Sequence, residues 1–511
     1  MIDFDAVAQS LALLFLPHNL TWLLLGFAAG VVVGAIPGFS EGSFLAMVLP
    51  FTVYLDPWTA LIFMSAVYMA AEMAGSYPAI LINMPGTAGT FATTIEGYPL
   101  TRRGKAVGAL GCSMTASLLG GLFGSIVYLV AGPFVAHYAL AFGSPAMFMV
   151  ALLGVTAVSS LSEQSLAKGL VSGALGLLIA TTGIDPIVGK PRATFGLIGL
   201  YDGVPLIAAL IGLFGFSELL RLAGERGGTP GGRASADWTS DLLEGCRGAF
   251  SHRWAALRSS VIGVVIGIIP GTGAATASVV SYGQGRQWAR APRNFGKGSY
   301  EGLVCSDSAK DACVPGSLIP TLALGIPGSG TAVIFLAVLS LQGMHPGPGF
   351  WGEHLKEAYA IGFTFLISSL LILLVCFPMV RQISRIAYIP SRLLIPLVSV
   401  FMFVGVYSYR NSSFDMFVMV FFGALGWLLR RHGYSPSALL LGLILGPMME
   451  QNLSRTMALG GPQLFVTDRV SLVLLGCVVL SLVAPRLLAR RTASSTRSGN
   501  AGSPPEAEDL R

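Results

Sequence analysis

This chain predicts an all-α protein that crosses a membrane many times, and three observations carry that expectation. Of its 511 residues, 53% are hydrophobic and 11% charged, whereas soluble domains carry about 25% charged residues. The apolar residues fall in long runs, among them Ala106–Ala131, Met147–Val158, Val204–Leu220, Val261–Ile269, Tyr359–Val380, Leu393–Tyr407, Phe414–Leu429 and Val470–Ala484. Motifs centred on Pro-Gly recur in the same order in two halves of the chain. A spanning helix needs about 20 mostly apolar residues, so the shorter runs must borrow flanking residues or be broken or re-entrant. Roughly 10–12 membrane segments are expected on that basis.

The duplication is specific. Gly30-Val-Val-Val-Gly-Ala-Ile-Pro-Gly38 returns as Gly263-Val-Val-Ile-Gly-Ile-Ile-Pro-Gly271. Ala79-Ile-Leu-Ile-Asn-Met-Pro-Gly-Thr87 is echoed by Pro320-Thr-Leu-Ala-Leu-Gly-Ile-Pro-Gly-Ser329. The spacing from first to second proline is 48 residues in one half and 57 in the other. The first link carries only Asp56, but its counterpart carries Arg286, Arg290, Arg293 and Lys297 and no acid. After the second Pro-Gly the bias reverses: the first half has Arg102, Arg103 and Lys105 against Glu96, the second Lys356 against Glu353 and Glu357. Basic loops face the cytoplasm, so equivalent links are expected on opposite sides of the membrane. The expected organisation is an N-terminal segment (1–19), a first membrane repeat (20–220), an amphipathic interfacial linker (221–258), a second repeat (259–450) of inverted topology, a C-terminal membrane segment (451–491) and a disordered tail (492–511). The tail is Ser, Gly, Pro and charge.

Other features bound the function. The net charge of +6 sits in short loops that flank apolar runs, which suits membrane orientation and excludes a nucleic-acid footprint. Among 64 glycines, Gly120, Gly121 and Gly124 form a small-residue face fit for close helix contact. The six cysteines, Cys112, Cys246, Cys305, Cys313, Cys376 and Cys477, form no CxxC pair and read as small buried hydrophobes. The N-terminus opens with Asp3 and Asp5 and lacks a basic region, so no cleaved signal is expected. The six histidines are scattered, with no HExxH, and no nucleophile motif or Walker A pattern is found. No catalytic residue, resident metal or cofactor is therefore expected.

Pro-Gly within a membrane segment frees backbone groups, which survive only in protein or against a wet cavity. Matching breaks in two halves mark the binding site of many secondary transporters, and half-helix N-termini there suit carboxylates. Eight hydroxyls cluster at these breaks: Ser40, Ser43, Thr87, Thr90, Thr272, Thr276, Ser329 and Thr331. They can donate to a carboxylate or accept at a cation, although a lone membrane Thr more often bonds back to its own helix. The candidate substrate-binding residues are Ser40, Pro85, Gly86, Thr87, Thr272, Gly273, Gly328 and Ser329. The coupling-ion candidates are Asn83, Asp307, Lys310 and Asp311. With Glu41 and Glu72, the last three are ionisable residues beside the breaks, where membrane depth makes charge costly and usually functional. A membrane channel and a membrane-embedded enzyme are the alternatives; inverted broken-helix repeats favour alternating access.

These residues resemble a known family, the large membrane subunit (TctA-like) of the tripartite tricarboxylate transporters. The resemblance runs through Gly34-Ala-Ile-Pro-Gly38, Ile80-Leu-Ile-Asn-Met-Pro-Gly-Thr87, Glu96-Gly-Tyr-Pro-Leu100, Ile268-Ile-Pro-Gly-Thr-Gly273, Phe295-Gly-Lys-Gly298, Leu318-Ile-Pro320, Gly325-Ile-Pro-Gly-Ser329, Tyr407-Ser-Tyr-Arg-Asn411 and Leu441-Gly-Leu-Ile-Leu-Gly-Pro447. It implies a permease in the bacterial cytoplasmic (inner) membrane, with a small four-helix membrane subunit and a periplasmic solute-binding protein as partners. It also implies a small organic carboxylate as substrate and Na+ or H+ as the coupling ion. The chain departs from the family pattern at Phe39-Ser-Glu-Gly42, at Ala70-Ala-Glu-Met-Ala-Gly75 and at Ser306-Asp-Ser-Ala-Lys-Asp311, where Lys310 and Asp311 replace two amides. The identity of the carboxylate is left open by these departures.

Overall fold

The computed structural model describes residues 4–37, 39–139, 142–160, 166–185, 189–224, 238–347, 349–386 and 391–482. The expected disordered tail, Gly38 and linker residues 225–237 lie outside them. The described residues are almost entirely helical, the one sheet being a two-residue antiparallel pair, β1 (Gly183–Ile184) with β2 (Pro191–Arg192).

Proline and small polar residues start the helices of the first half. Helix α1 (Phe4–Leu14) leads into α2 (Pro17–Gly34), which opens on a proline whose missing N–H costs nothing there. Ser40 caps α3 (Glu41–Thr52) by accepting from the Ser43 N–H at 3.2 Å. Pro57 opens α4 (Pro57–Ala74), which continues past a break at Gly75 into α5 (Ser76–Ile82). Asn83, at φ 58°, ends α5 in the left-handed region, a conformation that Asn adopts more readily than most residues. After the Pro85-Gly86 turn come a single 3-10 turn, α6 (Phe91–Arg102) and the long α7 (Ala106–Ala139). Helices α8 (Ser144–Ser160) and α9 (Leu166–Ala180) follow, then α10 (Leu206–Leu210), a π segment (Ile211–Phe216) and α11 (Ser217–Gly224).

The second half repeats this order. The linker contains α12 (Trp238–Ser251), which lies on the start of α7, tied by a Lys105–Glu244 ion pair of 2.6 Å. Then come α13 (Arg253–Ile268), α14 (Gly273–Trp288), α15 (Tyr300–Leu324), α16 (Gly330–Leu341), the short α17 (Phe350–Glu353) and α18 (Leu355–Leu371). Helices α19 (Val380–Ile386), α20 (Ser391–Arg410), α21 (Ser413–Arg431), α22 (Pro436–Leu459) and α23 (Leu464–Thr467) follow, and an apolar helix at Arg469–Leu482 comes last among the described residues.

Five stretches among the described residues are long and apolar enough to span a bilayer: Pro17–Gly34, Pro57–Ile82, Ala106–Tyr138, Leu355–Cys376 and Ser413–Arg431. That is fewer than the 10–12 segments expected from apolar runs, and the breaks account for part of the difference. The arms α3, α6 and α16 have 12 residues each and α14 has 16. At 1.5 Å per residue these reach only about 18–24 Å, less than the roughly 30 Å hydrocarbon core.

Glycine sets the contacts that position the site. A Cβ on Gly26, Gly30 or Gly34 of α2 would lie 2.6, 2.5 or 2.2 Å from a carbonyl oxygen of α4, at Phe63, Val67 and Ala71. On α13 the duplicated Gly263 and Gly267 meet the Ala309 and Cys313 carbonyls of α15 in the same way, at 2.2 and 2.8 Å. The two copies of the motif thus make the same helix contact in each half. Gly120 and Gly124 of α7 close on α15 from another side, at 2.2 and 2.6 Å from the Ser308 and Ala312 carbonyls. Enclosed by α7, α13 and α14, α15 is buried from Gly302 to Ala323 without interruption.

Gly34→Val and Gly263→Val should each overpack a backbone contact and cost about 1–3 kcal/mol or more. Both should lower the melting temperature and the monodisperse yield in detergent. Gly283→Ala, where a Cβ meets nothing within 4 Å, should leave both unchanged.

Candidate functional site

Within each half, the second Pro-Gly break rests on the first. A Cβ on Gly86 would lie 2.2 Å from the Gly34 carbonyl oxygen, and one on Gly328 would lie 2.4 Å from that of Gly267. The Gly86 N–H donates to Gly75 at 3.1 Å. In the second half, the Gly271 N–H donates to the Pro327 carbonyl (3.1 Å) and the Gly273 N–H to that of Gly328 (3.2 Å). Only glycine permits such approach of one broken backbone to another.

The halves then meet through side chains at these breaks. Tyr68 on α4 and Ser329 share a hydrogen bond of 3.0 Å. Thr331 on α16 donates to Glu41 Oε1 on α3 at 2.9 Å. Lys310 on α15 donates through Nζ to the Glu72 carbonyl oxygen on α4 at 2.9 Å. A Cβ on Gly89 would sit 2.9 Å from that of Ala274 at the start of α14. Counted from the prolines, Glu41 corresponds to Ala274 and Thr331 to Gly89. The two crossings are therefore counterparts of each other.

The charges at this junction are held in different ways. Lys310 and Asp311 form a 2.6 Å ion pair with no exposed surface. They lie inside the protein, not at a wet rim. Asp311 Oδ1 has no partner, nor has Glu41 Oε2. Glu72 accepts from the Thr87 hydroxyl at 3.2 Å. Asp307 accepts from Thr93 at one oxygen and from Ser113 at the other. Glu96 is the most fully satisfied: Tyr282 Oη (2.8 Å) and Gly296 N (2.6 Å) donate to Oε1, and Gly298 N (2.8 Å) and Ser299 N (2.6 Å) to Oε2.

Pro85, Gly86, Thr87, Gly273, Gly328 and Ser329 are brought to this junction, as the sequence predicts. Ser40 is there too, bonded to Ser43 at 2.8 Å beside Glu41. Thr272 reaches the breaks with its backbone only, because its hydroxyl donates to the Ile266 and Ile269 carbonyls. Asn83 is exposed at the end of α5 and does not join the cluster of Glu41, Glu72, Lys310 and Asp311, whereas Asp307, bound by Thr93 and Ser113 among α6, α7 and α15, is close enough to Lys310 to feel its charge. Sequence reasoning missed Tyr68, Thr93 and Ser113, which lie in ordinary apolar context. For Glu96 a signal was present. Its own motif and Phe295-Gly-Lys-Gly298 are both conspicuous, and Gly296 and Gly298 take φ of 80° and 90° to aim their N–H groups at it.

Comparison with known proteins places this geometry in context. The chain matches the model of the tripartite tricarboxylate transporter TctA family over residues 20–441. It is 34% identical over 483 residues to an Agrobacterium vitis protein described as "Uncharacterized 52.8 kDa protein in TAR-I ttuC' 3'region", a match spanning 93% of this chain and 95% of that one. A second A. vitis protein, "Uncharacterized protein in TAR-II ttuC' 3'region", is 34% identical over 235 residues, 45% of this chain and 97% of its own length. No solved structure matches.

Breaking the buried pair tests its place in the fold. Lys310→Met leaves Asp311 uncompensated and should cost about 3–5 kcal/mol. Lys310→Met combined with Asp311→Leu should recover most of that loss. Thermal melts in detergent read both; a double variant no better than the single would show that the pair is not one electrostatic unit.

Proposed function

Because the chain belongs to the tripartite tricarboxylate transporter TctA family, we propose that it is the permease subunit of a binding-protein-dependent secondary transporter. It imports small carboxylates of tricarboxylate or dicarboxylate type by cation-coupled symport. The observation that carries this reading is the meeting of the broken helices. The starts of α3 and α16 touch through Glu41 and Thr331, and the start of α14 touches the turn before α6 at Gly89. Each helix start presents unpaired N–H groups and about half a positive charge, which favours carboxylates.

In this reading the Thr87 and Ser329 hydroxyls hold substrate carboxylates or the coupling cation, while the N–H groups directly after Pro85, Pro270 and Pro327, expected from the sequence to bind substrate, are taken by Gly75, Pro327 and Thr321. The halves are inserted in opposite senses, as the swapped basic links imply. Alternating access comes from a rocking or elevator-like movement of the broken-helix core. A periplasmic solute-binding protein delivers the substrate and a small four-helix membrane subunit supports the permease, in the bacterial inner membrane. Na+ or H+ supplies the drive. Lys310 and Asp311 stand where two amides are usual, so the fixed Lys310 charge takes the place of a bound sodium ion and a proton gradient contributes.

The test is uptake into proteoliposomes with both partners supplied, using labelled citrate and succinate, together with calorimetry on the binding protein. Saturable uptake that depends on an ion gradient is expected; flux that neither saturates nor needs a gradient would mean a channel. Thr87→Ala and Ser329→Ala should each slow uptake several-fold, as lost hydrogen bonds of about 0.5–1.5 kcal/mol would. Unchanged uptake in both would refute the site. Lys310→Asn with Asp311→Asn should gain sodium dependence, and an unaltered sodium and pH response would remove the pair from coupling.

A further inference from the structure

The buried carboxyls at the junction of the halves are not equally provided for. Glu96 receives four donors and Asp307 two hydroxyls. Asp311 has the Lys310 ammonium. Glu72 is bonded to Thr87, a residue of its own half, so that contact does not change when the halves move against each other. Glu41 has one hydroxyl on Oε1, nothing on Oε2, and no cationic nitrogen within 4 Å among the described residues. An ionised carboxylate so placed at membrane depth is held at a cost of several kcal/mol.

We infer that Glu41 is the residue that takes up and releases the coupling proton, a conclusion that rests on the transport reading above. Three further observations support it. The Thr331 bond joins α3 of one half to α16 of the other, so any movement between the halves alters the surroundings of this carboxyl. Glu41 is 8% exposed, whereas Glu72 is 1% and Glu96, Asp307, Lys310 and Asp311 are 0%, so it is the least deeply buried residue of this group, its Oε2 still inside the protein. The Lys310 ammonium is faced by Asp311, Asp307 and Glu72, so an ionised Glu41 has no cation of its own to balance it. An anionic substrate enters more readily once Glu41 is neutral.

The titratable groups close enough to feel the charge of Glu41 are Glu72 and Tyr68 on α4 and Lys310 on α15, which is itself paired with Asp311. The other elements against α3 contribute little. Helices α10 and α16 and the π segment have no ionisable side chain, and His18 of α2 lies at the far end of that helix. On α20, Arg410 is engaged by Asp202 and Asp415, and Arg392 lies near the helix start. A proton arriving from the substrate side binds Glu41 Oε2 and no other bond changes. Its release restores the carboxylate once the two halves part.

Two measurements decide the matter separately. In the first, infrared difference spectra of the solubilised permease with its small subunit are recorded across a pH titration. A protonated-carboxyl C=O band should titrate in the wild type, be missing in Glu41→Gln, and titrate at a shifted pH in Thr331→Val, which keeps the carboxyl and removes its donor. A band unchanged in Glu41→Gln would overturn the inference, whatever the protein transports. In the second, proteoliposomes with the binding protein take up labelled succinate or citrate. Glu41→Gln should lose at least ten-fold in accumulation driven by an imposed pH gradient while retaining downhill exchange. Accumulation equal to wild type would also overturn it. Absence of any uptake by the wild type would instead refute the transport reading, with the infrared titration still deciding where the proton sits.

Discussion

The structure depends on how closely backbones approach one another around α15. With Gly120 and Gly124 on α7 and Gly263 and Gly267 on α13, carbonyl groups of α15 are contacted where any side chain would collide. Lipid chains offer no hydrophobic drive for such contacts, so packing of small residues supplies it. The enclosure makes the charges tolerable, because a helix with a lipid face could not carry Asp307, Lys310 and Asp311 within five residues. The buried charges of this protein are therefore built on glycine.

The duplicated motifs have two uses that sequence alone could not separate. Gly30-Val-Val-Val-Gly34 and Gly263-Val-Val-Ile-Gly267 were legible as repeats, and their glycines are helix contacts before they are anything else. The Pro-Gly pairs were legible as breaks, and Gly86 and Gly328 do rest against the preceding helix ends. Thr272 shows the limit of that reading, since its hydroxyl bonds back to its own chain, the ordinary fate of a membrane threonine. Asn83 shows another: an amide beside a break can serve as a left-handed helix end, and here it does. What could not be read was partnership across long separations. Thr93 and Ser113 gain meaning only when folding brings Asp307, some 200 residues away, between them. Tyr68 likewise depends on Ser329.

The junction divides its carboxyls into fixed and responsive groups. Glu96 binds the 296–299 loop to α6 through backbone N–H groups that cannot titrate. Asp307 has a hydroxyl for each oxygen. These contacts hold the halves together at places where charge need not change. Glu41 has the opposite character, with a single donor from the other half and an oxygen without one.

Gly75 and Ser317 hold equivalent places beneath the two tips, 11 residues before Gly86 and Gly328 respectively, yet the helices around them differ. The first is divided at Gly75 into α4 and α5, while α15 passes through Ser317 unbroken. The residue at this place is a glycine in one half and, in the other, a serine whose Oγ donates to the Val314 carbonyl at 2.8 Å. The two halves, though built on the same motifs, are therefore not shape-for-shape copies of one another.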